Sequence, residues 1–152
     1  MASYLADTNI LLRLADTPSP QNATAARAVG NLFRERHEVF ITAQNIIEFW
    51  AVATRPRESN GFGWTCEHAR VEVRALREKF PLLLEGPEIF AQWIALVETL
   101  PVTGKRAHDA RLVAVLKTHG VNHLLTFNGG DFALFKDISV VDPGTIAGAG
   151  IP

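Results

Sequence analysis

Apolar residues in this chain fall into two patterns. Short unbroken runs alternate with longer stretches in which apolar positions recur every three or four residues. Short runs bounded by turn residues predict buried strands, and the longer period predicts amphipathic helices. Strands are expected at Ser3-Tyr4-Leu5-Ala6, at Val39-Phe40-Ile41, at Leu82-Leu83-Leu84, from Val121 to Phe127 and from Ile138 to Val141. Helices are expected over Ile10–Leu14 with Thr8 or Asn9 as cap, from Asn22 to about Arg36, and from Ala43 to about Thr54 behind Thr42. Three more are expected over Cys66–Lys79, Pro87–Leu100 and His108–His119, the last closed by Gly120. Thr17-Pro18-Ser19-Pro20, Arg55–Trp64 and Asn128–Phe132 read as breaks, loops or turns. Strands that are apolar throughout belong to parallel sheets covered on both faces. Their alternation with helices predicts an α/β domain with a mostly parallel central sheet. That domain spans residues 1–143, and the Gly/Ala/Pro-rich residues 144–152 are expected to be a flexible tail.

Composition narrows the function classes. A length of 152 residues suits one domain. With 47% hydrophobic and 20% charged residues, the chain can bury a core rather than stay disordered. Lys plus Arg is 15 against 16 Asp plus Glu. That balance argues against a protein that coats DNA by neutralising many phosphates, but leaves room for a local patch or a metal. The single cysteine, Cys66, excludes an internal disulfide and a Cys-based zinc site. The N-terminus lacks a basic leader region, and no run of about 18 apolar residues occurs. A cytoplasmic protein with no membrane partner is expected.

The acids change the picture. In an open α/β sheet, ligands bind at the carboxyl ends of the strands. Asp7 ends the first strand, Asp131 follows the strand that ends at Phe127, and Asp109 lies in a first helical turn. Asp7 also suits a helix N-cap, Asp109 a dipole-favoured acid and Asp131 a turn. Glu48 resists such readings. It interrupts Ile46-Ile47-Glu48-Phe49-Trp50, a helix expected to be apolar nearly all round, with no Lys or Arg three or four residues away. It must pair across the fold or serve a bound cation, because an unpaired buried charge costs several kcal/mol. Four carboxylates in one crevice repel one another, and a hard divalent cation such as Mg²⁺ or Mn²⁺ relieves that. Chemistry alone therefore points to metal-dependent phosphoryl chemistry on a phosphate-bearing substrate.

The pieces LADTNILL (Leu5–Leu12), NIIEFW (Asn45–Trp50), HDARLVA (His108–Ala114) and LLTFNGGDF (Leu124–Phe132) occur in that order. Together they resemble the PIN-domain ribonucleases, in particular the VapC-like toxins of type II toxin–antitoxin systems. The resemblance implies a three-layer α/β/α sandwich. It implies Mg²⁺ or Mn²⁺ held by Asp7, Glu48, Asp109 and Asp131, with Asp7 and Asp109 foremost as direct ligands and Glu48 and Asp131 binding directly or through water. Single-stranded RNA would be cut by metal-activated water, leaving a 5′-phosphate and a 3′-hydroxyl. Thr8, Asn9, Thr126 and Asn128 would support the site. A cognate antitoxin and a homodimer are implied as partners. One departure stands out: many relatives carry an acid where this chain has Asn128, which leaves open whether Asn128 or Asp131 lies nearer the metal.

Arg13, Arg55, Arg57, Lys105 and Arg106 fall near the expected rim and are candidates to hold RNA, with solvated surface charge as the alternative. Trp64, in the Gly-rich loop, is the candidate for a base or a partner to pack on, whereas Trp50 and Trp93 are expected in the core. The competing function is a catalytically inactive PIN-fold module that binds RNA or protein. A phosphotransferase of the haloacid-dehalogenase type fits less well, because it wants Asp-x-Asp where this chain has Asp7-Thr8-Asn9.

Overall fold

Four parallel strands form the centre of the molecule in a computed structural model that describes residues 1–149. They are β1 (Ser3–Ala6), β2 (Glu38–Phe40), β3 (His123–Leu125) and β4 (Ser139–Val141), in the order β2-β1-β3-β4. The register pairs Leu5 with Phe40 on one side and with Leu124 on the other. Among the described residues, seven helices flank the sheet: α1 (Thr8–Ala15), α2 (Asn22–Arg34), α3 (Ala43–Thr54), α4 (Cys66–Lys79), α5 (Glu88–Thr99), α6 (Arg106–Thr118) and α7 (Pro143–Ala149).

Side-chain alternation along the strands divides the core into two halves. Tyr4 and Ala6 of β1 and Leu125 of β3 face a cluster with Ile10, Leu11, Val29, Leu32, Phe49 and Leu76, contributed by α1–α4. Leu5 and Leu124 face the opposite cluster, with Ile89, Leu96 and Leu112–Leu116 from α5 and α6. Both sheet faces are therefore covered, which makes the expected α/β/α sandwich and explains the unbroken apolar strands.

From β1 the chain winds outward to β2, then crosses to β3 on the other side of β1. The winding reverses between β1 and β3, and a crevice opens there at the carboxyl ends of the strands. Asp7 and Thr126 are the first residues beyond those two strands. The backbone N–H of Asp7 donates to the Leu125 carbonyl at 2.9 Å, so the ladder is still paired where the site begins.

Several expectations are corrected. Helix α1 begins at Thr8, and its cap is Asp7, whose carboxylate accepts from the Thr8 N–H. The Leu82–Leu84 run makes a single parallel bridge, Ile41 to Leu82, rather than a strand. Pro81 has no N–H to extend that ladder, and Leu84 is exposed. Helix α3 is not apolar all round: Gln44 and Asn45 are buried while Ile47 is 67% exposed. Trp50 is only half-buried. Residues 144–149 of the expected flexible tail belong to α7, which packs on α2. There Asn31 Nδ2 donates to the Ile146 carbonyl at 3.0 Å and Ala147 is buried. Residues 150–152 lie outside the described residues.

The packing of α7 generates a test. Ala147→Asp would place a charge in that contact and should lower unfolding free energy by about 2–3 kcal/mol in denaturant titration. A loosely held tail would leave stability unchanged.

Candidate active site

The crevice is bordered by a pocket of about 240 Å³ that collects side chains from four places in the chain. Asp7, Thr8 and Asn9 come from the β1–α1 junction, Gln44 and Glu48 from α3, and Lys105, Arg106, His108 and Asp109 from the start of α6. Asn128 and Asp131 come from the turn after β3, which is a 3₁₀ turn over Gly129–Phe132. Val52 and Leu112 form its apolar floor and wall. The structure thus brings Asp7, Glu48, Asp109 and Asp131 to one pocket, although 124 residues separate the first from the last.

Asp7 is the most constrained of the four. Oδ1 accepts from the Thr8 N–H at 2.8 Å, while Oδ2 accepts from the Thr126 hydroxyl at 2.8 Å and from Asn9 Nδ2 at 3.3 Å. Asn9 also donates to Thr126 Oγ1 at 3.0 Å and accepts from the Phe127 N–H at 3.2 Å. Thr126, fully buried, accepts from the Asn128 N–H at 3.0 Å as well. One network therefore fixes the Asp7 carboxylate and the end of β3 together. Asp7 is both the helix cap and a rim acid, so the two readings of it coexist.

Burial pushes the Asp7 carboxyl up to about 6. Its hydrogen bonds with Thr126 and Thr8 pull the other way, and the neighbouring charges of Asp109 and Glu48 add to the rise.

Glu48 does not find a cation across the fold among the described residues. Its Oε1 accepts from the Thr8 hydroxyl at 2.8 Å, and Thr8 Oγ1 in turn accepts from Asn45 Nδ2 at 3.1 Å. Asn45 is fully buried and also completes the capping box of α3 with Thr42. An Asn45–Thr8–Glu48 relay thus orients this acid from inside the core. Gln44 ties α3 to α6 by donating to the His108 carbonyl at 2.9 Å, and it accepts from Arg111 at 3.1 Å. Neither Gln44 nor Asn45 was assigned a role from sequence; two buried amides opening an apolar helix were the available signal.

The remaining two acids share one partner. Arg106 donates from Nη1 to Asp109 and from Nη2 to Asp131, each at 2.8 Å. Those hydrogen bonds, to Asp109 above all, hold the guanidinium pKa above its usual value.

The donor chemistry of the pocket is all oxygen and mostly carboxylate, which suits a hard cation. As the side chains stand, no three His, Cys, Asp or Glu residues among the described ones are gathered closely enough to hold an ion. The acids fit a metal in kind and in charge, with Asp109 and Asp131 currently turned to Arg106.

The other candidates divide. Lys105 and Arg106 border this pocket, and Arg13 and Arg57 border a neighbouring one of about 620 Å³. Val52 lines both pockets. Arg13 is paired with Asp16 at 3.1 Å, and Arg57 is exposed with no ion-pair partner among the described residues. Arg55 borders neither pocket; its Nη2 donates to the Asn60 carbonyl at 3.4 Å. Trp64 is half-buried in the neighbouring pocket, stacked on His68 with ring centroids 4.0 Å apart. The loop that carries it is held by backbone bonds, and Gly61 is obligatory there: a Cβ would lie 2.0 Å from the Arg55 carbonyl oxygen.

The raised Asp7 carboxyl fixes a stability prediction. Its folded pKa, about 6, lies above the ordinary carboxyl value of 3.8, so the folded state holds this proton more tightly than the unfolded chain. Stability then falls as pH rises from about 4 to 6 and stays low above that. In chelator-treated protein, Asp7→Asn should therefore be more stable than wild type at pH 7.5, by on the order of 2 kcal/mol. Denaturant titrations should find that advantage shrinking as the pH is lowered to 4.

Comparison with known proteins places the site in a family. The PIN domain family model matches residues 4–138. Ribonuclease VapC24 of Mycobacterium tuberculosis is 31% identical over 149 residues, covering 93% of this chain and 97% of that protein. VapBC-1 from nontypeable Haemophilus influenzae superposes with a TM-score of 0.69 at 17% identity, over 93% of this chain and 98% of that one. VapBC2 from Rickettsia felis, solved bound to a DNA fragment from their promoter, gives 0.70 at 11% identity, over 92% and 98%. Sequence match and fold agree over nearly the whole length, and the chain belongs to the PIN-domain family, among the VapC-like ribonucleases.

Proposed function

We propose that the chain is a Mg²⁺- or Mn²⁺-dependent endoribonuclease that hydrolyses single-stranded RNA in the cytoplasm, as the toxin of a toxin–antitoxin pair. The observation that carries this reading is the convergence of four carboxylates from four elements on one pocket, with a single arginine to balance them. A pure binding surface for RNA gains nothing from such a concentration of like charge.

Asp7 and Asp109 are the direct ligands in this reading, and Glu48 and Asp131 act directly or through water. The bound ion would supply a water of lowered pKa and polarise the scissile phosphodiester. The chain's own residues do the rest. Thr126 and Asn9 fix the Asp7 oxygens. The Asn45–Thr8 relay points Glu48 into the pocket, where its free oxygen is placed to take the proton of an attacking water. Cleavage would leave a 5′-phosphate and a 3′-hydroxyl. Lys105, exposed at the pocket rim, meets the substrate phosphate. The adjoining groove, reached past Val52, offers Arg57 to the RNA backbone and the Trp64–His68 stack to a base.

The similar solved structures include VapBC complexes, which supports a cognate antitoxin as partner. A homodimer is supported by large apolar side chains left in solvent: Leu84 is 78% and Phe90 66% exposed. Phe90 lies beside an apolar groove with Ile89 and Trp93. No helix among the described residues is long and apolar enough to cross a membrane.

Four outcomes are expected. Asp109→Asn should lower cleavage of a single-stranded RNA by at least about 100-fold, and EDTA should abolish wild-type cleavage until Mn²⁺ is restored. Undiminished activity in EDTA would sink the reading. Arg57→Ala should weaken RNA binding and flatten the salt dependence of affinity by about one phosphate contact in filter-binding assays. Phe90→Glu should convert a dimer to a monomer in sedimentation velocity, and a wild type that is monomeric at all concentrations would remove the homodimer from the proposal.

A further inference from the structure

We infer that Arg106 is a resident cation of the active site: its guanidinium occupies Asp109 and Asp131 in the metal-free protein, and a divalent ion must displace it to bind. The inference rests on the metal-dependent reading above and specifies how the site is kept before the ion arrives.

The geometry carries it. Two different nitrogens of one guanidinium contact two different carboxylates, Nη1 to Asp109 Oδ2 and Nη2 to Asp131 Oδ1, both at 2.8 Å. Asp109 lies three residues along α6 from Arg106, but Asp131 lies 25 residues away, on the 3₁₀ turn after β3. A planar fork directs these oxygens outward to separate donors. Mg²⁺ instead requires its oxygens about 2.1 Å from one common point. Arg106 holds one oxygen of each carboxylate and turns both groups toward itself rather than toward one common point, and among the described residues no three metal-ligating side chains are gathered closely enough to hold an ion.

No other cation does this work. Among the described residues, Asp7 is bonded only to Thr8, Asn9 and Thr126, and Glu48 only to Thr8. Arg111 is held away by Glu85 at 2.6 Å and by Gln44. Local structure explains only half of this arrangement. Arg106 is the first residue of α6, where a cation opposes the macrodipole, and its i,i+3 pair with Asp109 is local to the helix. Its contact with Asp131 is not, since that acid lies off the helix. The pair of acids in front of it is what its charge serves.

Arg106 exchanges with the metal rather than assisting it, and this makes the sign of the test informative. Isothermal titration with Mn²⁺ would compare wild type, Arg106→Gln and Arg106→Lys, each checked for folding by circular dichroism and melting. Removal of the competitor should tighten Mn²⁺ binding by about tenfold in Arg106→Gln, as expected for loss of a charge-assisted contact. Arg106→Lys, which keeps the charge but not the fork, should fall between the two. The half-saturating Mg²⁺ for RNA cleavage should shift down in the same order. Unchanged affinity in Arg106→Gln would overturn the inference. Weaker affinity would also overturn it and make Arg106 a residue that positions Asp109 for the ion. If neither wild type nor Arg106→Gln binds Mn²⁺, the metal-dependent reading itself fails, and this inference falls with it.

Discussion

Repulsion among carboxylates at the open end of the sheet is the constraint around which this molecule is organised. Folding brings Asp7, Glu48, Asp109 and Asp131 to one pocket. Burial disfavours an ionised carboxylate, and like charges nearby add to the effect. The effect is visible at Asp7, raised to about 6 by burial with Asp109 and Glu48 contributing. Such an arrangement works against stability and persists only because other parts of the fold hold it in place. A functional site that costs the fold some stability is the usual reason for a protein to keep an unfavourable cluster.

The scaffolding that holds the acids is polar and largely neutral. Thr126, Asn9 and the Thr8 amide surround Asp7, and Asn45 acts on Glu48 through Thr8. These donors sit on regular, hydrogen-bonded elements: the end of β3, the first turn of α1 and the capped start of α3. Hydroxyls and amides can orient a carboxylate without neutralising it, so the negative charge remains available for an incoming cation. Arg106 is the exception, since it both orients and neutralises. The pocket therefore has a stiff half around Asp7 and Glu48, and a half around Asp109 and Asp131 whose acids are already committed to a charge of the protein's own.

Substrate handling follows from the same layout. For the proposed RNA substrate the pocket itself is too negative to attract a phosphate backbone unaided, and the free cationic groups lie at its rim and in the adjoining groove rather than inside it. Net charge alone, at −1, conceals this division. The Arg55–Trp64 loop, held by backbone hydrogen bonds, adds an aromatic stack beside the cationic groove, a combination suited to single-stranded nucleic acid, whose bases are free to stack.

Much of this was legible in the residues. Unbroken apolar runs meant parallel strands, and the position of Asp7 at the end of the first run meant a rim acid, because strand ends and helix starts are local features. Glu48 could be singled out because a carboxylate in an apolar helix has no local explanation. Other features were settled only by packing. The 3.6-residue period could not say that Ile47 faces solvent while Gln44 and Asn45 are buried, since apolar content does not fix which side of a helix meets the core. The Gly- and Ala-rich residues 144–149 carry little periodic signal, yet they form a helix because α2 offers them a surface and Asn31 a hydrogen bond. Arg106 belongs to the same class. The sequence placed it near the rim, as one cation among several. Only the tertiary fold sets it between Asp109 and Asp131, because an ion pair across 25 residues depends on where the turn after β3 comes to rest.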